Sequence, residues 1–277
     1  MAVKRYTLRI PERPRRPSAS HPIAASVSSD IQAVERVARI LELFDHRIVE
    51  LSAAEAAVRL GLKRTTVQRY FSSMLGVGLL ERGSATGSYT PGPLLAQLGA
   101  LTVGRRRVVD RALSGMRELS ARTHLTSVLS LWGTAGPVVM HVEEDPSASG
   151  VVTVRVGSRL SMLSAQAVVF LAFHDDEPRS DAALESLSTR ARAHARMLIK
   201  SAQVSGMATY ISEDTGVGAI AAPVFDTTGI CATLALLGTL VTTSSDTRHA
   251  EQLAAAAEAI TREMGGERFL ESAARTG

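Results

Sequence analysis

The sequence predicts an α+β protein of two units, an N-terminal winged helix-turn-helix and a larger mixed unit. The stretch Ser52–Met74 has the pattern of two short helices separated at Gly61. A short hairpin pattern follows at Leu79–Thr90, as in a winged helix. The second half alternates apolar strand patterns with amphipathic helices, and a helix pattern stands at each end of it, which favours a largely antiparallel sheet with helices packed on it.

Composition places weak limits on function. The net charge of +4 permits a nucleic-acid partner without requiring one. The single cysteine, Cys231, excludes an intrachain disulfide framework. No apolar run approaches the roughly 20 residues of a membrane span, and the N-terminus lacks the apolar core of a signal peptide. We therefore expect a cytoplasmic protein with no membrane partner.

The N-terminal residues 1–27 are rich in Arg, Pro and Ser, and they offer little to bury. This composition predicts a disordered basic arm. Two interpretations stay open: a solvated tail, or an arm that adds phosphate contacts to a bound nucleic acid.

A helix pattern begins near Asp30, and two local signals define the helices after it. Ser52 and Glu55 form a capping box, and Gly61 supplies the positive φ that ends a helix at low steric cost. In the next helix Val67, Phe71 and Met74 recur at i, i+4 and i+7, which predicts an inward stripe.

The outward positions of that second helix are basic and hydroxyl-rich, and the short hairpin after it predicts a wing. Cations and hydroxyls suit phosphate oxygens, whereas Gln, Thr and Arg can also contact base edges. The candidate DNA-binding residues on the helix and the wing are Lys63, Arg64, Thr65, Thr66, Gln68, Arg69, Arg82 and Ser84.

An apolar helix is predicted at Leu94–Val103, outside the winged unit. It would either cap that unit or link it to the rest of the chain and pair with a second copy. We expect five segments: the arm 1–27, the winged unit 28–92, the linker 93–106, the larger mixed domain 107–265 and a tail 266–277.

The second half predicts helices at Val108–Thr123, Ser164–Phe173, Leu187–Val204 and Ser245–Met264. Strands are predicted at Ser127–Leu131, Val138–Val142, Val151–Val156, Met207–Ile211, Val217–Phe225 and Ile230–Leu237. A turn signal at Asp226–Gly229 joins the last two strands as a hairpin.

Signals of catalysis are weak. The Asp214–Gly218 stretch lacks the third glycine of a dinucleotide fingerprint, since Ala221 stands there. His174–Glu177 is most simply an acidic loop, and the other histidines have no ligand spacing. We expect no catalytic residues, no metal and no cofactor; an α+β enzyme with an accessory winged helix is the alternative.

The chain resembles the IclR family of bacterial transcriptional regulators over roughly Ser28–Gly265. The resemblance rests on the order of several blocks. They are AVERVARILELF, LSAAEAAVRLGLKRTTVQRYFSSMLGVGLLER, GSYTPGPLLAQLG, VGSRLSMLSAQA and YISEDTGVGAIAAPVFDTTG. It implies a winged helix-turn-helix, a linker helix and a GAF-like effector-binding domain. It also implies homodimers, often tetramers, that bind palindromic double-stranded DNA operators and respond to a small molecule.

The chain departs from this family where the effector pocket is implied. Leu163 replaces a frequent His, Val168 and Val169 replace a Gly-Lys pair, and three further positions carry apolar residues in place of polar or small ones. The candidate effector-binding residues are Trp132, Met140, Met162, Ser164, Ala219, Thr233, Ala235 and Leu237. Met207 is a further candidate lining residue. Loss of polar groups predicts an apolar or aromatic effector, or a degenerate pocket, because a buried carboxylate needs donors or a cation.

Overall fold

The computed structural model describes residues 4–7, 31–45, 47–105, 107–147, 150–174, 183–212, 216–239 and 247–266. The chain divides into two compact units: Pro22–Arg106 form one, and Arg107–Gly277 together with Met1–His21 form the other. Each described unit combines helices with a sheet, which confirms the predicted fold class.

The described residues of the winged unit form four helices and a three-stranded antiparallel sheet of order β2–β4–β3. The elements are α1 Gln32–Leu41, β2 Leu51–Ser52, α2 Ala53–Leu60, α3 Arg64–Gly76, β3 Leu80–Arg82, β4 Ser88–Pro91 and α4 Pro93–Arg105. The strand β1, Lys4–Thr7, precedes them in the chain and belongs to the other unit.

The local signals of this unit are confirmed. Ser52 Oγ accepts from the Glu55 N–H at 3.2 Å, and the Glu55 carboxylate accepts from the Ser52 N–H at 2.9 Å. Gly61 ends α2 with φ at 65°, a left-handed conformation that glycine adopts without strain. Val67, Phe71 and Met74 are at most 1% exposed and form the inward face of α3.

The larger unit is built on a five-stranded antiparallel sheet of order β6–β5–β10–β9–β8. Its elements are α5 Arg107–Thr123, β5 Thr126–Gly133, β6 Gly136–Glu143, β7 Gly150–Thr153, α6 Ala165–Phe173, α7 Thr189–Ser205, β8 Ala208–Ser212, β9 Val217–Asp226, β10 Gly229–Thr239 and α8 Thr247–Glu263.

The sheet carries an apolar core on each face. One cluster joins α5 and α8 to the sheet through residues such as Met116, Leu234 and Ile260. The other cluster joins α6 and α7 to the opposite face through residues such as Val168 and Ala235. The alternation of side chains along β10 feeds both clusters, because successive residues of a strand point to opposite faces.

Within the arm predicted over residues 1–27, the structure describes Lys4–Thr7. These four residues form β1, which pairs in parallel with β7 from Lys4 opposite Gly150 to Thr7 opposite Thr153. Pairing with a distant strand leaves no local signal in the arm's composition. The rest of the arm and most of the predicted tail 266–277 lie outside the described residues.

None of the described helices combines the length and the hydropathy needed to cross a bilayer.

Candidate functional site

The outward face of α3 is basic. Lys63 precedes the helix as its N-cap, Arg64 begins it, and Arg69 lies further along the same exposed surface. Thr65 and Gln68 are also exposed, whereas Thr66 is half-buried. A basic N-terminal turn is chemically suited to phosphate oxygens, because the helix N-terminus adds its own partial positive charge.

The hairpin β3–β4 stands beside this helix in the same unit, and its turn is held by one carboxylate. Glu50 accepts from the Ser84 N–H at 2.9 Å and from Ser84 Oγ at 2.7 Å. It also accepts from the Ala85 N–H at 3.3 Å and from Ser88 Oγ at 2.7 Å. These hydrogen bonds, led by that from the Ser84 backbone, lower the pKa of Glu50 from 4.5 to about 2. Sequence reasoning missed Glu50, whose partners are more than 30 positions away.

Two of the predicted wing residues are therefore engaged within the protein. Both donors of Ser84, its N–H and its O–H, go to Glu50. Arg82 is exposed, yet its Nη1 donates to the Tyr89 hydroxyl at 2.9 Å. Ser84 consequently orders the turn Gly83–Gly87, and Arg82 keeps further N–H groups for other partners.

In the larger unit, five of the eight predicted effector residues pack in two apolar clusters that include residues of α6, and a sixth is an exception. Ala219, Ala235 and Leu237 pack in the α6–α7 cluster, and Ala219 is directly opposite Leu237. Trp132 and Met162 pack together with Leu163 in a neighbouring small cluster.

The exception is Met140, which packs in the α5–α8 cluster on the opposite face of the sheet. The structure therefore separates it from the other candidates. The pairing of β5 with β6 shifts register between Leu129 and Ser130, which face His141 and Val139, so Met140 is the extra residue of a β-bulge. A bulge changes which face the following side chains occupy, and simple alternation cannot anticipate it.

A buried polar group that the sequence did not reveal lies among these apolar residues. Gln166 of α6 is 3% exposed, and its Nε2 lies 3.2 Å from the Val128 carbonyl and 3.3 Å from both the carbonyl and the hydroxyl oxygen of Thr233. Ser130 is directly opposite Thr233 in the β5–β10 pair and is fully buried. Its Oγ makes no hydrogen bond to any described residue.

An aromatic pair contributed by β5 and α6 adds to these polar groups. Trp132 meets Phe170 of α6 edge to face, with ring centroids 5.4 Å apart. Ser164 caps α6, its Oγ accepting from the Ala167 N–H at 3.2 Å. Together these residues combine neutral hydrogen-bonding groups with aromatic and aliphatic surface. We call Ser130, Trp132, Gln166, Phe170 and Thr233 the polar–aromatic strip.

A separate groove of about 210 Å³ lies where α8 approaches the β9 strand and the turn before β8. It is lined by residues that include Phe173, Met207, Pro223, Phe225 and Glu258, and by none of the eight predicted effector residues. Met207, an additional candidate from the sequence, lines this groove rather than the strip.

Metal-binding geometry is not evident in the part of the chain that the structure describes, where no three His, Cys, Asp or Glu side chains could share an ion. Asp145 instead binds His124 Nδ1 at 2.6 Å and Ser147, and these contacts lower the pKa of Asp145.

Comparisons with known proteins agree with this architecture. Residues 33–84 match the IclR helix-turn-helix domain, and residues 100–262 match the C-terminal domain of the bacterial transcriptional regulator IclR. The regulator XynR of Escherichia coli K12 is 26% identical over 248 residues, which cover 85% of this chain and 98% of XynR.

Solved structures show the same fold. HmgR of Pseudomonas aeruginosa is 27% identical with a TM-score of 0.61, over 84% of this chain and 97% of HmgR. An IclR homologue of Microbacterium hydrocarbonoxydans, solved in complex with 4-hydroxybenzoate, is 24% identical with a TM-score of 0.66, over 84% of this chain and 98% of that one. With both of its domains matched, this chain belongs to the IclR family of bacterial transcriptional regulators, which join a helix-turn-helix DNA-binding domain to a C-terminal effector-binding domain.

Proposed function

We propose that α3 is the recognition helix of a sequence-specific repressor or activator, and that it enters the major groove of a palindromic operator. The exposed cations Lys63, Arg64 and Arg69 carry this proposal, because they share one helix face with hydroxyl and amide side chains and with no carboxylate. The opposite face is fixed in the core, so the polar face is the only one available to DNA.

The roles divide by chemistry and position. Thr65, Thr66, Gln68 and Arg69 follow the first residue of the helix and are proposed to contact base edges or adjacent phosphates. Lys63, Arg64 and Arg82 are proposed to contact phosphates, and Ser84 acts by holding the wing turn.

Arg69→Ala tests the recognition helix. We expect specific binding to weaken by about 1–3 kcal/mol in a gel shift at fixed salt. Arg122→Ala is the matched control, because it removes an exposed arginine that pairs with Glu118 on α5 of the other unit. If the Arg69 variant kept full operator affinity, α3 would not be the helix that binds the operator.

A second copy of the chain is proposed to pair through α4. The beginning of α4 is held against the rest of the winged unit, because the Leu94 N–H donates to the Gly78 carbonyl at 3.0 Å. Further along, Leu98 and Leu101 are 48% and 59% exposed. Contact with the same helix of another copy would cover these leucines and would place two recognition helices about 34 Å apart, or a multiple of that distance.

The effector is proposed to bind at the polar–aromatic strip and to have an aromatic or apolar body with a hydrogen-bonding substituent. Apolar side chains at Ala219, Ala235 and Leu237 remove donors that a small acid would need. The unpaired Ser130 hydroxyl supplies one donor for a neutral or weakly acidic group. The homologue that binds 4-hydroxybenzoate shares the fold, and its ligand guides the choice of library.

Thermal-shift screening tests this proposal by comparing phenols and benzoates with glyoxylate- and pyruvate-sized acids. A response confined to the small acids would contradict it. Unchanged operator binding with every compound would instead favour a ligand-independent regulator with a degenerate pocket. Where an effector binds, it changes operator affinity only as far as it prefers one arrangement of the dimer.

A further inference from the structure

We infer that Tyr89 is a positioning residue for DNA binding, which holds Gln68 of the recognition helix and Arg82 of the wing in place before DNA arrives. The inference rests on the proposed roles of those two side chains. Tyr89 lies in β4 and is 2% exposed, so it acts from beneath the polar surface rather than by touching DNA.

On the wing side, Tyr89 is directly opposite Arg82 in the β3–β4 pair. The Arg82 guanidinium carbon lies 4.8 Å from the centroid of the Tyr89 ring, and Nη1 donates to the hydroxyl oxygen at 2.9 Å. The ring face and the hydroxyl therefore both attract the same cation, which fixes the long Arg82 side chain along the hairpin.

On the helix side, the Tyr89 ring meets Phe71 of α3 edge to face, with centroids 4.8 Å apart and an interplanar angle of 75°. Gln68 stands one turn before Phe71, and its Nε2 donates to the Tyr89 hydroxyl at 3.1 Å. Phe71 is fully buried, so the ring cannot move without disturbing the core of the winged unit.

One hydroxyl oxygen thus accepts hydrogen bonds from two elements that are proposed to meet DNA at different places. Gln68 keeps its carbonyl oxygen and a second N–H for a base edge, and Arg82 keeps its other N–H groups for a phosphate. Without the hydroxyl, both side chains would have to be ordered on binding, which costs on the order of two- to tenfold in affinity for each.

The test uses the full-length chain and a duplex enriched from a random pool by the wild-type protein. Affinities at one ionic strength are measured for Tyr89→Phe, for the double variant Gln68→Ala/Arg82→Ala, and for the triple variant that combines all three changes. Thr90→Val is the matched control: it deletes a hydroxyl of the same strand, which donates to the Val49 carbonyl at 2.9 Å. Circular dichroism melts confirm that each variant is folded.

The inference predicts that Tyr89→Phe binds about tenfold more weakly and that Thr90→Val stays within twofold of wild type. It also predicts that the triple variant is no weaker than the double variant, because Tyr89 acts only through the two deleted side chains. Wild-type affinity of Tyr89→Phe, an additive loss in the triple variant, or an equal loss in Thr90→Val would each overturn it.

The double variant distinguishes the proposed DNA contacts of Gln68 and Arg82 from the positioning role of Tyr89. If it binds like wild type, the proposed contacts of Gln68 and Arg82 are wrong, and the role of Tyr89 fails with them. If it binds weakly while Tyr89→Phe binds like wild type, the contacts stand and only the role of Tyr89 fails.

Discussion

We expect substitutions at Ser130 and Thr233 to change the free energy of unfolding in opposite directions. The two residues nevertheless face each other on neighbouring strands. Ser130 is fully buried, and its hydroxyl makes no hydrogen bond to a described residue. An unsatisfied buried hydroxyl costs about 1–3 kcal/mol, and removing one oxygen gives back only a few weak dispersion contacts. Ser130→Ala should therefore raise the free energy of unfolding of the ligand-free protein by about 1 kcal/mol.

Thr233→Val supplies the control of opposite sign. The Thr233 hydroxyl accepts from Gln166 Nε2 at 3.3 Å, a long hydrogen bond, and Nε2 keeps two carbonyl oxygens within 3.3 Å. The loss should fall at the lower end of the usual range for a hydrogen bond, about 0.5–1 kcal/mol of destabilisation.

Urea unfolding followed by tryptophan fluorescence measures both changes in the relevant unit, because Trp132 is the single tryptophan of the chain. With a slope of about 1–3 kcal/mol/M, a change of about 1 kcal/mol moves the midpoint by roughly 0.3–1 M. A lower midpoint for Ser130→Ala would instead mean that the hydroxyl has a hydrogen-bond partner in the folded protein. If Ser130 meets the effector, the same variant should also lose part of the effector's thermal shift.

Four further predictions concern the DNA-binding half. Glu50→Gln should speed amide exchange at Ser84 and Ala85 and weaken operator binding, and unchanged exchange would show that the carboxylate does not hold the wing. Because the folded pKa of Glu50 is lowered to about 2, its stabilisation of the turn should be complete above about pH 4.5 and disappear as pH falls from there towards 2, which an acid series of amide exchange would follow. Ser52→Ala should cost about 1 kcal/mol in urea through the lost cap of α2, while an equal loss in Ser72→Ala, an exposed serine inside α3, would argue against a capping effect. Leu101→Glu should shift the chain towards monomer in sedimentation, because it places a charge on the exposed apolar surface of α4. An unchanged mass would show that α4 does not form the contact between copies.

The winged unit could be predicted from sequence because its signals are local. The reciprocal bonds of Ser52 and Glu55 span three positions, and Gly61 ends its helix by its own conformational freedom. The burial of Val67 and Phe71 follows from helix periodicity alone.

Features that depend on contacts distant in sequence could not be predicted. The bulge at Met140 is a property of the pairing between two strands, and it moved one predicted effector residue to the other face of the sheet. The partners of Glu50 lie in the wing turn, 34 or more positions further along the chain, so no local pattern reveals them. The pairing of Lys4–Thr7 with β7 was hidden in the same way.

The candidate effector site is more polar in the structure than the sequence predicts, again because distant parts of the chain meet there. Apolar residues at Ala235 and Leu237 predicted a loss of polar groups, and both side chains pack in the α6–α7 cluster. Gln166 and Ser130 return polar atoms to the same face from α6 and β5, elements that one-dimensional patterns treat separately. The expected ligand is accordingly apolar or aromatic in its body but carries a hydrogen-bonding group.

Selection of bound duplexes from a random pool with the purified full-length chain is the decisive test of whether α3 reads a DNA sequence. We expect enrichment of a palindrome whose half-sites are one helical turn, or a whole number of turns, apart, and loss of that enrichment with Arg69→Ala. A pool that stays random, or an enriched sequence that the Arg69 variant binds equally well, would contradict the claim that α3 reads DNA.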